Sequence, residues 1–526
     1  MKSKTALLTA FALLMCINLS ASETKNKSID KTVNSLNVSI DSRQELISIV
    51  QYLGGYFRLN KLKLDYKTDI DSYFSDFKEH EAVKYVQKLT KQGFTYDAPP
   101  AAMLYLSDNF EVEKEFSEYL NKRAGGEDNL NELARLMKKF AEETDFNMFF
   151  ESQYEFYRQT INDFTVKLSD FKEVKTIESF YGKKQNSYNI ILSCLNSGNY
   201  GPSITTEKGT DIYSIMSAKK VSKGKPLFGS LKDIEYLVWH EFGHSFVNYL
   251  THEHIDLVRK YESLNESIKI PMKRQAYGSW ETVVNEHVIR AITIKLAENR
   301  YGLDVANNLM LNEISRSFIY IEPILTQLDD YMNNRDTYTL FSDFYSLLIE
   351  NSFNLALTTN YQEKYLKNLN NTFKDIDFIV ISESAKAEVS GYVKDIKNKF
   401  FKDTPLITDK EAIEKGLSKY SFLIYGTIEN NLLLQNFKAN LPIQILDSSI
   451  NADKEYLTHN GKAIFNMKNP LNTEEYIIVY TAQNQEGIVD INNVFHGPTN
   501  YIVFEDRNKI HTKGFVVKEN DKWICK

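Results

Sequence analysis

The chain has 526 residues, too many for one ordinary core, so two or three domains are expected. Hydrophobic residues at 42% and charged residues at 25% give the mix of a folded protein and exclude wholesale disorder. A net charge of −7 lacks the basic footprint that phosphate backbones demand, which argues against nucleic acid as a partner.

Lys2 and Lys4 lead an apolar run from Ala6 to Ile17, and the small residues Ser20, Ala21 and Ser22 follow. This is the layout of an export signal over residues 1–21, so a periplasmic or secreted protein is expected. Cys16 leaves a lipid anchor as the lesser alternative, because Met15 before it is bulkier than lipid-modified signals tolerate. No later apolar run approaches the length of a transmembrane helix. Cys194 and Cys525 are the other cysteines, and two make no disulfide framework; a buried thiol and a tail thiol are expected.

After the signal, residues 22–40 read as a mobile polar leader. Residues 41–165 read as a mainly helical N-terminal region. Helical spacing runs over Glu45–Leu53, stopped by Gly54-Gly55, then over Ile70–Gln92, Glu111–Lys122 and Asn131–Thr144. Met148–Phe171 is aromatic-rich, and Phe149, Tyr154, Phe156, Tyr157 and Phe164 are taken as packing rather than a cofactor box. A strand is expected over Ser187–Leu195, followed by a glycine-rich loop through Pro202, and a second strand over Asp211–Ala218. Ser230 and Asp233 fit a capping box at the start of a helix. Helices continue to about residue 372. From 375 to 526, strands and helices alternate as in a smaller α/β or β-rich domain. The fold class is therefore α+β.

The helix opened by Ser230 carries His240-Glu241-Phe242-Gly243-His244. On a helix, histidines four apart stack on one face and grip a single ion. The glutamate between them projects beside the ion, where it can take a proton from water. The neighbours Leu237, Val238, Trp239, Phe242 and Phe246 are apolar, as a dry metal site requires. Gly243 weakens the helix and is easier to explain if another backbone or a ligand approaches there.

A third histidine at the spacing of the histidine-rich variants of this motif is missing, since Val247 and Leu250 stand where glycine and histidine would. His252 and His254 lie too far along the axis and read as polar helix-end residues. The next strong helix, Trp280–Ala291, offers Glu281 and Glu286. These two are about 140° apart around the helix, so only one faces the ion. Glu286 is preferred because it sits deep in the apolar run, with Arg290 one turn on.

The pattern resembles the gluzincins, zinc peptidases with two histidines and a glutamate from a following helix. It more closely resembles a family of exported bacterial proteins of the domain-of-unknown-function type. That second resemblance rests on Asp41-Ser42-Arg43-Gln44-Glu45-Leu46, Asn199-Tyr200-Gly201-Pro202, His240–Asn248 and Glu286–Ala291, across roughly residues 40 to 375. It implies a zincin-like catalytic domain over 166–374 and a metallopeptidase-like site with Zn2+, but it supplies no substrate beyond a peptide or protein.

The expected chemistry has His240, His244 and Glu286 holding zinc and Glu241 acting as general base. Tyr277, His287 and Arg290 are the candidates, in that order, for stabilising the oxyanion. The Tyr188–Leu195 strand is a candidate for aligning an extended peptide. A catalytically inactive relative that binds partners at the cell envelope is the alternative, and the intact His240-Glu241-His244 set argues against it. In the C-terminal domain, the Tyr425–Asn431 turn reads as fold closure rather than an anion site, because no phosphate-binding glycine pattern accompanies it.

Overall fold

A computed structural model describes residues 28–59, 61–359 and 361–526. The expected export signal and Cys16 lie outside the described residues. The chain forms two compact units. One comprises residues up to Ser169 with Asn189–Tyr200 and Ile215–Phe228; the other comprises Asp170–Tyr188, Gly201–Ser214 and Gly229–Lys526.

In the first unit the expected leader is corrected. From Ile29 it is a hairpin of strands Ile29–Val33 and Leu36–Ile40. Leu36, Val38 and Ile40 alternate inward and are fully buried. Asn37, Val38 and Ser39 pair in parallel with Asn189, Ile190 and Ile191. A period of two with one buried face is what turns a polar-looking stretch into a strand. The helix Ser42–Leu53 follows, capped by the Asp41 carboxylate, which accepts from the Arg43 and Gln44 amides. The Ile70–Gln92 pattern is two helices, Asp65–Phe74 and Glu81–Lys91, the second capped by His80. Tyr66, Phe74, Phe140, Phe146, Phe149 and Tyr157 are fully buried, so the aromatic run is packing, although Tyr154 is exposed.

The second unit stacks helices Glu173–Tyr181, Leu231–Glu253, Trp280–Tyr301, Leu303–Ser315, Ile321–Asn333 and Phe341–Thr358. Its seven-stranded sheet has Phe422–Tyr425 parallel to both Phe378–Ile381 and Asn472–Ala482, with Leu406–Thr408 parallel at one edge. Lys462–Asn469, Tyr501–Asp506 and Lys509–Gly514 add on antiparallel at the other side. Phe422 and Ile424 pack into one buried cluster, Leu423 and Tyr425 into another. Both faces are thus covered, which is why these strands read as unbroken apolar runs. The architecture is α+β, with a helical N-terminal part and a β-rich C-terminal region.

No unit boundary falls near residue 375. The segment before it is tied in on both sides: the Asn368 amide donates to Ser315, and the Asn466 amide group donates to Lys367 and Thr372. Cys194 and Cys525 are both buried, and neither is in a disulfide among the described residues. No helix among the described residues is long and apolar enough to cross a membrane.

Candidate metal centre

His240, Glu241 and His244 lie on the Leu231–Glu253 helix. The expected capping box starts it: the Ser230 hydroxyl accepts from the Asp233 amide, and the Asp233 carboxylate accepts from the Ser230 amide at 2.8 Å. Its rotation is fixed by buried anchors. The Trp239 indole N–H donates to Glu173 at 2.7 Å, and Phe246 stacks on Tyr181 with ring centroids 4.3 Å apart. Gly243 is explained by side chains rather than by a backbone or ligand. A Cβ there would meet Ile289 Cγ2 at 3.1 Å and the Tyr181 hydroxyl at 3.2 Å, so the glycine lets the next helix close in. The backbone approach is at Gly201, where a Cβ would come within 2.2 Å of the Glu241 carbonyl oxygen.

The second helix, Trp280–Tyr301, is capped by Ser279, whose hydroxyl accepts from the Thr282 amide. It carries Glu286 against the two histidines. Glu286 Oε2 lies 3.7 Å from His240 Nε2, and Oε1 lies 3.7 Å from His244 Nε2. One ligating atom from each residue falls within 4.8 Å of the others. Ligands about 2.0–2.1 Å from a tetrahedral zinc stand roughly 3.4 Å apart, so this donor set fits such an ion. Glu281 is not in the cluster; it pairs at the surface with His252 at 3.5 Å. His254 caps the helix end and stacks on Tyr345.

Electrostatics suit metal binding, which needs neutral imidazoles and an ionised carboxylate. Burial disfavours the imidazolium of His240, and Arg290, His244 and Arg316 add to it against the pull of Glu286. The result is a pKa held down at about 3. Burial opposes ionisation of Glu286, but Arg290 and then the two histidines outweigh it and hold the carboxyl at about 2. His244 Nδ1 lies 3.3 Å from Asn248 Oδ1 one turn on. A proton on Nδ1 donating to that oxygen would leave Nε2 for a metal.

Behind Glu286 sits a charged network. Arg290 Nη2 donates to Glu286 Oε2 at 2.8 Å and to the Tyr277 hydroxyl at 3.2 Å, while Nη1 donates to Glu313 Oε2 at 2.7 Å. The guanidinium lies over the Phe318 ring, 4.2 Å from its centroid. Arg316 Nη1 reaches both Glu313 oxygens at 3.1 and 3.0 Å. Gln275 Nε2 donates to the Arg316 carbonyl at 2.9 Å, which joins the loop before Tyr277 to the loop after Arg316. Ala276 and Ser317 both have left-handed φ, 73° and 77°. Each costs on the order of 1 kcal/mol or more, held in place by this clamp.

The three oxyanion candidates separate. Burial, with Glu286 adding to it, pushes the Tyr277 phenol up to about 12, so it keeps a proton to donate at neutral pH. Arg290 is consumed by two carboxylates and Tyr277, which makes it a brace for Glu286. His287 is fully buried, contacts the Val283 carbonyl through Nδ1 at 2.7 Å, and sits between Phe318 and Tyr320. A substrate has no route to it. The Tyr188–Leu195 strand is also corrected as a peptide guide. It is occupied on one side by Leu36–Ile40, and Ser193 accepts from the Ala218 amide on the other. By contrast Ser203–Thr206, which follows Gly201, pairs only with Gly209–Ser217 among the described residues.

Sequence reasoning did not find Asn248, Gln275, Glu313, Arg316 or Phe318. Asn248 carried a signal, the four-residue helical spacing from His244. The others are brought in by a loop and a neighbouring helix, and local spacing does not show that.

Glu241 is buried and one helical step from His240, beside the ligand row rather than in it. The cluster can therefore hold a divalent ion through two imidazoles and a carboxylate, with a second carboxylate alongside. No curated protein and no solved structure matches the chain. Residues 36–351, more than half of its length, match the family model described as Domain of unknown function (DUF4932), and the chain belongs to that family.

Proposed function

We propose that the protein is a zinc-dependent hydrolase of peptide bonds, of the gluzincin type, acting outside the cytoplasm. The observation that carries this is the pair of 3.7 Å approaches of Glu286 to His240 and His244, with Glu241 buried next to them. His240, His244 and Glu286 would hold the ion. Zinc, when bound, supplies a Lewis acid that brings the pKa of water toward neutrality.

The chain's own residues do the rest. Glu241 takes the proton of the attacking water and returns it to the leaving amine, which leaves the carboxylate as it began. The Tyr277 phenol donates to the oxygen of the scissile carbonyl as negative charge develops there. Arg290 holds Glu286 at a fixed angle through a charge-assisted bond. The edge of Ser203–Thr206 aligns an extended peptide by strand addition, and Gly201 keeps that segment close against the Glu241 turn.

Purified protein is expected to contain about one zinc. It should cleave members of a proteome-derived peptide library, and Glu241→Gln should lose roughly 10²- to 10⁴-fold in rate while keeping its metal. Glu286→Ala should lose zinc and Glu281→Ala should not. Protein without zinc, or a Glu241→Gln variant as fast as wild type, would sink the peptidase reading. Zinc loss in Glu281→Ala alone would sink the ligand assignment.

A further inference from the structure

Arg316 differs from every other charged residue of the centre in one respect: it is held in place yet still open. Its side chain is 34% exposed, against 11% for Arg290 and 7% for Glu286. Nη1 is bound to Glu313, and Nη2 reaches Gln275 Oε1 only at 3.5 Å. Nε has no hydrogen-bond partner among the described residues. Arginine presents five N–H donors in a planar fork, so this one keeps donors on Nε and Nη2 that its brace does not use, on a side chain about one third exposed.

The position is tightly determined. Glu313 Oε2 accepts from both Arg290 and Arg316, and both guanidiniums lie over Phe318, at 4.2 and 5.6 Å from its centroid. Gln275 grips the Arg316 carbonyl, and the left-handed turn at Ser317 follows directly. Through Glu313 and Arg290 the Arg316 fork lies within roughly 11 Å of the Glu286 carboxylate, about three residues of extended peptide.

We propose that Arg316 is a specificity residue that binds a carboxylate of the substrate within about three residues of the scissile bond. This rests on the peptidase reading and adds a substrate class to it: peptides with an acidic side chain near the cleaved bond, or with their free C-terminal carboxylate there. Planar two-point pairing of guanidinium with carboxylate supplies both affinity and register.

The test is binding to zinc-loaded Glu241→Gln protein, with and without Arg316→Gln or Arg316→Lys. Three pools of short degenerate peptides serve as probes: acidic residues with amidated ends, neutral residues with free C-terminal carboxylates, and neutral residues with amidated ends. One carboxylate-bearing pool is expected to bind roughly tenfold or more tightly than the neutral amidated pool, and which one it is identifies the carboxylate. Arg316→Gln should erase that preference and leave the neutral pool unchanged, while Arg316→Lys should keep part of it. Equal binding of all pools, binding of none, or an equal loss for every pool in Arg316→Gln would overturn the proposal; the last would mark Arg316 as a brace only. Failure of the peptidase reading shows separately, as wild-type protein that cleaves no pool faster than Glu241→Gln does.

Discussion

Arg290 is the residue on which the centre's charge balance turns. It is nearly buried and bonded to two nearly buried carboxylates, Glu286 and Glu313. Removing one partner from such a set leaves the others charged in a poor solvent, at about 3–5 kcal/mol. Arg290→Met is therefore expected to lower unfolding free energy by that order in denaturant titration. Zinc affinity should fall roughly 10- to 100-fold, as for loss of a group that orients a ligand. Equal metal affinity in wild type and variant would show that Glu286 needs no brace. At this scale the sequence was legible where chemistry and helical spacing coincide. His240, Glu241 and His244 share one helix, and Glu286 stood out as a carboxylate in an apolar run. His287 shared that apolar run, but one residue is a 100° turn, and the turn carries it away from the histidines into an aromatic pocket.

Among the elements, the helix Ser42–Leu53 is unusual for its buried polar face. Ser42, Gln44, Glu45, Ser48 and Gln51 are all buried, and each has a side-chain atom without a hydrogen-bond partner among the described residues. Glu45 accepts from the Tyr66 hydroxyl at 2.6 Å, and Tyr66 in turn contacts Tyr157 at 2.7 Å. Burial raises the Glu45 carboxyl to about 7, with Asp41 adding and the Tyr66 bond opposing. The folded state then holds a proton that the unfolded chain releases above about pH 4.5, so stability falls as pH rises from there to about 7. A shift of that size corresponds to about 3 kcal/mol. Glu45→Gln should flatten this slope and raise the melting temperature at pH 8 more than at pH 5. Parallel pH profiles for the two proteins would exclude the effect. Elements with strong local signals, such as the Ser230–Asp233 cap and the Phe422–Tyr425 strand, were readable from sequence. The first hairpin was not, because its partner strand lies about 150 residues downstream. In the Tyr425–Asn431 turn the Asn430 side chain accepts from the Thr427 amide and Asn431 caps the following helix. The turn thus closes on itself, as the sequence suggested.

At the scale of the molecule, the His240–His244–Glu286 cluster belongs to one unit and the buried polar helix to the other. A ligand that binds only the folded form stabilises the part that holds it, by about 2.7 kcal/mol at a hundredfold excess over its dissociation constant. Zinc is therefore expected to slow amide exchange in Leu231–Glu253 and Trp280–Tyr301 and to leave Ser42–Leu53 unchanged. Uniform protection would mean that the two units open together. Domain boundaries were the least legible feature, since residues 375–526 change in composition but remain bound to the preceding helices.

The chain passes from one unit to the other five times between Ser169 and Gly229. A ribosome that has released only residues up to 169 has therefore finished neither unit. The Leu36–Ile40 strand must wait with an unpaired edge until Asn189–Ile191 emerge, an interval in which it can pair with another chain instead. Export before folding would delay that meeting until translocation is more than a third complete. A recombinant fragment ending near residue 169 would carry the same open edge permanently, and aggregation rather than an isolated soluble domain is its natural fate.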